Sequence, residues 1–133
     1  DEGAFDESVL SSLKEKWLAS EWGVRSPIAV EVPFERTIAG VLLRGRMDAV
    51  YSTPTGGFEV VDWKTGSAKS GRELELAAIQ LAMYRLAYAE IANCNLSDVG
   101  AAFHYVSSQE TIRPADLLDR DGLINLINQV PTV

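Results

Sequence analysis

The run GRMDAVYSTPTGGFEVVDWKTG, residues 45–66, constrains this chain more than any other stretch. Val41 to Tyr51 and Phe58 to Trp63 are rich in β-branched and aromatic residues, and Thr53-Pro54-Thr55-Gly56-Gly57 between them is a strong turn sequence, so the two runs are expected to pair as a hairpin. Each strand carries one aspartate, Asp48 and Asp62, and Lys64 follows the second by two residues. An unpaired charge in an apolar strand costs several kcal/mol and persists only with a partner. Alternation puts Phe58, Val60, Asp62 and Lys64 on one face and Glu59, Val61 and Trp63 on the other. Asp48 stands about as far from the turn as Asp62, so the two carboxylates are expected to meet across the hairpin.

Carboxylates brought together repel unless a cation lies between them. An oxygen-rich pair suits a hard cation, Mg2+ or Mn2+, and the backbone carbonyl of Trp63 is a further candidate ligand. Lys64 beside such a site can orient or deprotonate a water, or offset negative charge on a phosphate. Plainer accounts exist for each residue alone: Asp48 paired with Arg44 or Arg46, and Asp62 paired with Lys64 as a simple salt bridge. The occurrence of both aspartates in register across one hairpin weighs toward a metal site.

Around the hairpin, residues from about Asp6 to Trp22 read as an amphipathic helix with Asp6 as N-cap, ended by Gly23 and Pro27. Ile28 to Thr37 reads as a strand. Ser70-Gly71-Arg72-Glu73 matches a capping box and opens a helix reaching about Ala92, apolar on most of its circumference and therefore expected to be buried. Along it Glu73, Gln80, Tyr84 and Tyr88 form a polar and aromatic stripe. Ala102 to Val106 reads as a further strand and Ala115 to Gln129 as a C-terminal helix. This order predicts a mixed α/β (α+β) domain, a mixed sheet with the long helix packed on it. Lys69 and Arg72 make a small basic loop at a helix N-terminus, where a phosphate would be favoured.

Length and composition set the outer bounds. At 133 residues with 47% hydrophobic and 23% charged residues, one domain with a real core is expected. The lone Cys94 excludes an internal disulfide and any four-cysteine zinc or iron–sulfur site made by this chain alone. No apolar run is long enough to span a bilayer without charges and nothing at the start resembles a signal peptide, so a cytoplasmic location is expected and no membrane partner. A formal net charge of −7 has the wrong sign for a free-standing nucleic-acid binder. Because the first residue is Asp1 and not methionine, the chain reads as a processed product or an excised fragment. His104, within Phe103-His104-Tyr105, reads as a hydrogen-bonded structural histidine, and Cys94 as a small, partly buried side chain.

Taken in order, Gly45-Arg46-Met47-Asp48, then Val60-Val61-Asp62-Trp63-Lys64-Thr65-Gly66, then Gln80-Leu81-Ala82-Met83-Tyr84 resemble the RecB-type nuclease domain of the PD-(D/E)xK superfamily. The resemblance spans about Glu31 to Tyr88. It implies a restriction-endonuclease-like core in which Asp48 and Asp62 hold the metal, Lys64 is the catalytic lysine, and Gln80 and Tyr84 match the family's Q-x-x-x-Y element. Glu31 resembles an acidic residue often found one strand earlier, here as an accessory. The implied activity is Mg2+- or Mn2+-dependent hydrolysis of DNA in end processing or recombinational repair, with exonuclease action expected. Catalysis would rest on Asp48, Asp62, Lys64 and Gln80, with Tyr84, Lys69 and Arg72 touching the strand. The implied partners are DNA, as a single strand or duplex end, and a helicase domain of the same or another chain, residues 1–133 being one domain of a larger helicase–nuclease.

The sequence departs from that pattern in two places. Relatives usually carry a metal-binding histidine in a helix upstream of the first aspartate, whereas no histidine precedes Asp48 here, and the helix bearing it is expected on a portion not included. Some relatives hold an iron–sulfur cluster with four cysteines, which Cys94 alone cannot. The contrasting reading is a nuclease-like scaffold without chemistry that guides DNA or docks a protein. Ser11-Ser12-Leu13-Lys14 and Lys64-Thr65-Gly66 also fit the S-x-x-K and K-T-G elements of serine β-lactamases, but no S-D-N element is present and Asp48 and Asp62 would be left unexplained.

Overall fold

A computed structural model describes residues 7–129. Helix α1 (Glu7–Ala19) leads into a five-stranded sheet of β1 (Ala29–Ile38), β2 (Val41–Ser52), β3 (Phe58–Lys64), β4 (Val99–Tyr105) and β5 (Glu110–Ile112). Helix α2 (Gly71–Ala92) connects β3 to β4, and α3 (Arg120–Asn128) follows the sheet. The strands lie in the order β1-β2-β3-β4-β5, with β3 and β4 parallel and the other pairs antiparallel. This is the expected mixed sheet flanked by helices.

The hairpin forms around the anticipated turn. Thr53 N–H donates to the Gly57 carbonyl at 3.0 Å and Gly56 N–H to the Thr53 carbonyl at 3.1 Å. Gly56 sits at φ 87, a conformation that costs a side-chain-bearing residue roughly 1 kcal/mol or more. From that turn the ladder runs from Ser52–Phe58 to Ala49–Val61 and stops one pair short of Asp48 and Asp62.

Of three core clusters among the described residues, one joins Ile38 to Ala82 and Leu86 of α2 and Leu123 of α3, and the other two flank the sheet. On the α2 side Val50, Val60, Phe103 and Tyr105 pack with Leu81, Tyr84 and Tyr88; on the other, Trp22, Ala49, Tyr51, Val61 and Ala102 pack with half-buried Trp17 and Trp63. Met47 joins the α2-side core although Ala49 joins the opposite one, so strict alternation breaks just at Asp48. Full burial of a side chain such as Leu81 is worth about 1.5–3 kcal/mol.

Several local expectations need correction. Asp6 lies outside the described residues. No residue of α1 is buried, and Val9, Leu10 and Leu18 remain exposed, because the helix meets the sheet mainly through Trp17. Full burial in α2 is confined to Leu81–Ala89; in its N-terminal half Leu74, Ala77 and Ile79 pack against the core but stay half-exposed. Ser70 occupies the N-cap of α2 but makes no side-chain cap, and Glu73 turns instead to Lys69 at 3.7 Å. β4 begins at Val99, three residues earlier than Ala102, drawn into register with Phe58. α3 begins five residues later than Ala115, where Asp119 accepts a hydrogen bond from Gly122 N–H at 2.8 Å. The three-residue β5 is absent from the sequence reading altogether.

Candidate active site

Where the β2–β3 ladder ends, a side chain takes over. Asp48 Oδ2 accepts a hydrogen bond from the backbone N–H of Trp63 at 2.8 Å. Arg44 pairs with Glu35 at 3.1 Å and Arg46 with Glu31 at 3.6 Å, so neither neutralises Asp48. Glu31 falls opposite Asp48 in the β1–β2 register, at φ 48, but its exposed carboxylate turns to Arg46 and away from the pair.

Asp62 is buried, at 8% exposure, and Lys64 Nζ lies 2.9 Å from its Oδ2. That distance makes an ion pair that ties the lysine to the buried carboxyl. The Asp62 carboxyl is pushed up to about 6, chiefly by burial; Lys64 works against the rise, and the Asp48 carboxyl beside it adds to it. For Lys64, burial acts to lower the pKa, but Asp62 and then the Tyr105 and Tyr84 phenols outweigh it and hold the ammonium up. The two carboxyls therefore sense each other, as the hairpin geometry anticipates.

Helix α2 brings Tyr84 into the same neighbourhood. Its phenol is raised by burial and by the Asp62 and Asp48 carboxyls, with Lys64 and then Gln80, on the exposed side, acting to lower it. The Tyr84 ring stands edge-on to Phe34 with centroids 5.4 Å apart. Gly45 faces both: a Cβ there would lie 3.0 Å from the Phe34 ring and 3.3 Å from the Tyr84 ring. The glycine of the G-R-M-D run thus leaves room for the tyrosine.

A cleft of about 430 Å³ opens beside Lys64, lined by Trp63, Lys64, Thr65–Ser67, Lys69, Glu73, Ala77 and Tyr105. Lys69 is in its wall; Arg72 is exposed on the first turn of α2 and is not, nor are Asp48, Asp62, Gln80 and Tyr84. Tyr105, paired in register with Lys64 on β4, is fully buried and its hydroxyl has no partner among the described residues. The sequence reading did not single it out, since only the β3–β4 register places it beside Lys64.

His104 stands on the opposite face, among Trp17, Trp22 and Trp63, with Nδ1 2.9 Å from the Thr111 hydroxyl and its pKa lowered by burial against the effect of Glu21. Its placement is that of a structural histidine. Among the described residues no three His, Cys, Asp or Glu side chains gather as a metal cage. The donor set for a cation is accordingly small: Asp48, Asp62 and a carbonyl. Lys64 C=O accepts from Val106 N–H at 2.9 Å, toward β4, so alternation directs the neighbouring Trp63 carbonyl toward β2 and Asp48. Two carboxylates, one of them buried, and one carbonyl fit a hard cation that retains several waters.

A mixed sheet with a βαβ crossover, two carboxylates meeting at a strand end and a lysine two residues on define a PD-(D/E)xK-type arrangement. The family model described as PD-(D/E)XK nuclease superfamily matches residues 4–130, and the chain belongs to that superfamily. No curated protein matches the chain. Twelve chains of solved structures match it. One of them, described as "Crystal structure of SSO0001", is similar at 20% identity with a TM-score of 0.49, covering 75% of this chain and 47% of that chain. The chain thus spans less than half the length of that structure.

Proposed function

We propose that this chain is a Mg2+- or Mn2+-dependent deoxyribonuclease of the RecB type, one domain of a larger cytoplasmic helicase–nuclease that trims DNA ends in repair or recombination. Membership in the nuclease superfamily supports hydrolysis of phosphodiester bonds. The observation that carries the reading is the buried Asp62 carboxyl facing the Asp48 carboxyl, with the Lys64 ammonium at 2.9 Å as its cationic neighbour. One ammonium offsets only one of the two charges, and a divalent cation relieves the repulsion that is left.

Asp48, Asp62 and the Trp63 carbonyl would hold the metal. When bound, it supplies Lewis-acid polarisation of the phosphate and a lowered pKa for the attacking water. Asp48 keeps its orientation through the Trp63 N–H. Lys64 holds its ammonium at the cleft, where it orients the water or offsets charge on the phosphate. Gln80 and Tyr84 stand on α2 outside the cleft wall, Tyr84 near enough to feel the Asp62 and Asp48 carboxyls; Gln80 would orient the water or the lysine and Tyr84 would touch the strand. Lys69 in the cleft wall offers a positive charge to the DNA backbone, with Arg72 one turn outside and Glu31 an accessory acid on β1. A helicase motor feeding single-stranded DNA accounts for a negatively charged module that need not bind DNA tightly by itself.

The second reading, a scaffold without chemistry, draws on the lack of a third acidic or histidine ligand among the described residues. One assay separates them: degradation of linear single-stranded DNA in Mn2+ by this chain and by Asp62→Ala. Metal-dependent cleavage lost in the variant supports the nuclease. Absence of cleavage together with Mn2+ binding no stronger than that of the variant supports the scaffold.

A further inference from the structure

Two buried side-chain atoms lack any polar partner among the described residues, His104 Nε2 and Tyr105 Oη, while Asp62 Oδ2 meets the Lys64 ammonium. His104 lies in the aromatic cluster on the far face. Asp62 and Tyr105 flank Lys64, Asp62 from the same face of β3 and Tyr105 from the adjoining position of β4. Phe103, two residues earlier on β4 and equally buried, fills its place with a plain ring. A phenylalanine would serve packing at position 105 as well, whereas a buried hydroxyl with no partner costs about 1–3 kcal/mol. Its retention calls for a partner present in some other state of the site.

Lys64, in register with Tyr105 across β3 and β4, is placed to supply that partner. Its ammonium carries three donors, and among the described residues its one charged contact is Asp62 Oδ2 at 2.9 Å. Tyr84, the other phenol near Lys64, is approached by Gln80 one turn earlier on α2 and is not the residue in register with Lys64. A cation drawn to Asp62, as the function proposed above requires, removes the lysine's anchor while the lysine is still needed in the cleft. We propose that Tyr105 is a positioning residue whose hydroxyl accepts a hydrogen bond from the Lys64 ammonium once Asp62 has turned to a divalent cation. The tyrosine then keeps Nζ in the cleft instead of releasing it to solvent. This inference rests on the metal-site reading.

The test uses the full chain and Tyr105→Phe. In nitrogen-15-labelled protein, with the Lys64 side-chain resonance assigned by Lys64→Arg, Mg2+ is expected to shift the wild-type Nζ signal yet leave it visible. In Tyr105→Phe the same addition is expected to lose that signal to solvent exchange. Metal-free Tm should be unchanged or higher in the variant, and in the cleavage assay kcat should fall about tenfold with KM unchanged, the loss expected for one hydrogen bond to a charged group. A lower metal-free Tm, making the hydroxyl structural, overturns the proposal. So does an Nζ signal that responds alike in both proteins, and that result leaves the metal site standing. If Mg2+ moves nothing in the wild type, the metal-site reading itself falls and this inference with it.

Discussion

Asp48 Oδ2 accepts the N–H of Trp63 at 2.8 Å, at the point where backbone pairing between β2 and β3 stops. The carboxylate therefore has two duties: completing the hairpin's hydrogen bonding with one oxygen and facing Asp62 with its charge. Substitutions can separate them. Asp48→Asn keeps an acceptor for Trp63 and removes the charge, so its fold stability should stay near wild type while metal-dependent cleavage is lost. Asp48→Ala leaves the Trp63 N–H unsatisfied and should cost about 1–2 kcal/mol more than Asp48→Asn. Urea unfolding of both variants beside a cleavage assay reads the split; equal stabilities would deny the hydrogen bond a structural role.

Asp62 sets a pH dependence with an unusual sign. Its carboxyl rises from 3.8 to about 6 in the folded protein, so between those values the native state binds more protons than the unfolded one. Stability from this group is present below about pH 4 and is lost as pH rises through 6, by at most about 3 kcal/mol. In metal-free buffer, Asp62→Asn should remove that decline, so the wild-type and variant stability curves separate between pH 4 and 6.5. Mn2+ affinity of the wild type should climb over the same interval, because the ligand must be ionised. Curves that run parallel throughout would contradict the assignment.

Gly45 leaves little room for a side chain. Gly45→Ala would press a Cβ against the Phe34 and Tyr84 rings at 3.0 and 3.3 Å, forcing one of them to move. A cost of about 1–3 kcal/mol is expected from overpacking, with cleavage reduced beyond what the stability loss explains because Tyr84 shifts against Lys64. Adding Phe34→Leu should return part of both, which thermal unfolding and initial rates can check.

Lys69 and Glu73 form an exposed pair at 3.7 Å, whose stabilising effect should be small. Lys69→Ala is therefore expected to leave Tm within about 1 °C, while weakening binding to an oligothymidylate in Ca2+. The logarithmic salt dependence should lose about 0.7 of slope, the value for one phosphate contact on a single strand. Arg72→Ala, outside the cleft wall, should change that slope less.

How far the fold can be read in advance depends on where the determining contacts lie. The hairpin was legible because its turn residues and alternation are local, and the gathering of Asp48, Asp62 and Lys64 follows from that hairpin alone. Even there, the break in alternation between Met47 and Ala49 has no local sign. The missing cap at Ser70 is a local competition, since Lys69, four residues before Glu73, draws its carboxylate away. The exposure of Leu10 and Leu18 on α1 is a tertiary outcome, since apolar spacing states which face would be buried and not whether anything covers it. Tyr105 was invisible for a stronger reason: its relation to Lys64 exists only through the parallel β3–β4 register, 41 residues apart in the chain.

All three tryptophans of the chain, Trp17, Trp22 and Trp63, lie in one cluster, with Trp17 and Trp63 centroids 4.4 Å apart. Trp63 is also the residue whose backbone ties to Asp48. Intrinsic emission from this protein is thus not an average over the molecule but a report from the back wall of its candidate active site. Events at the carboxylate pair have a built-in optical witness, readable without a label and without turnover.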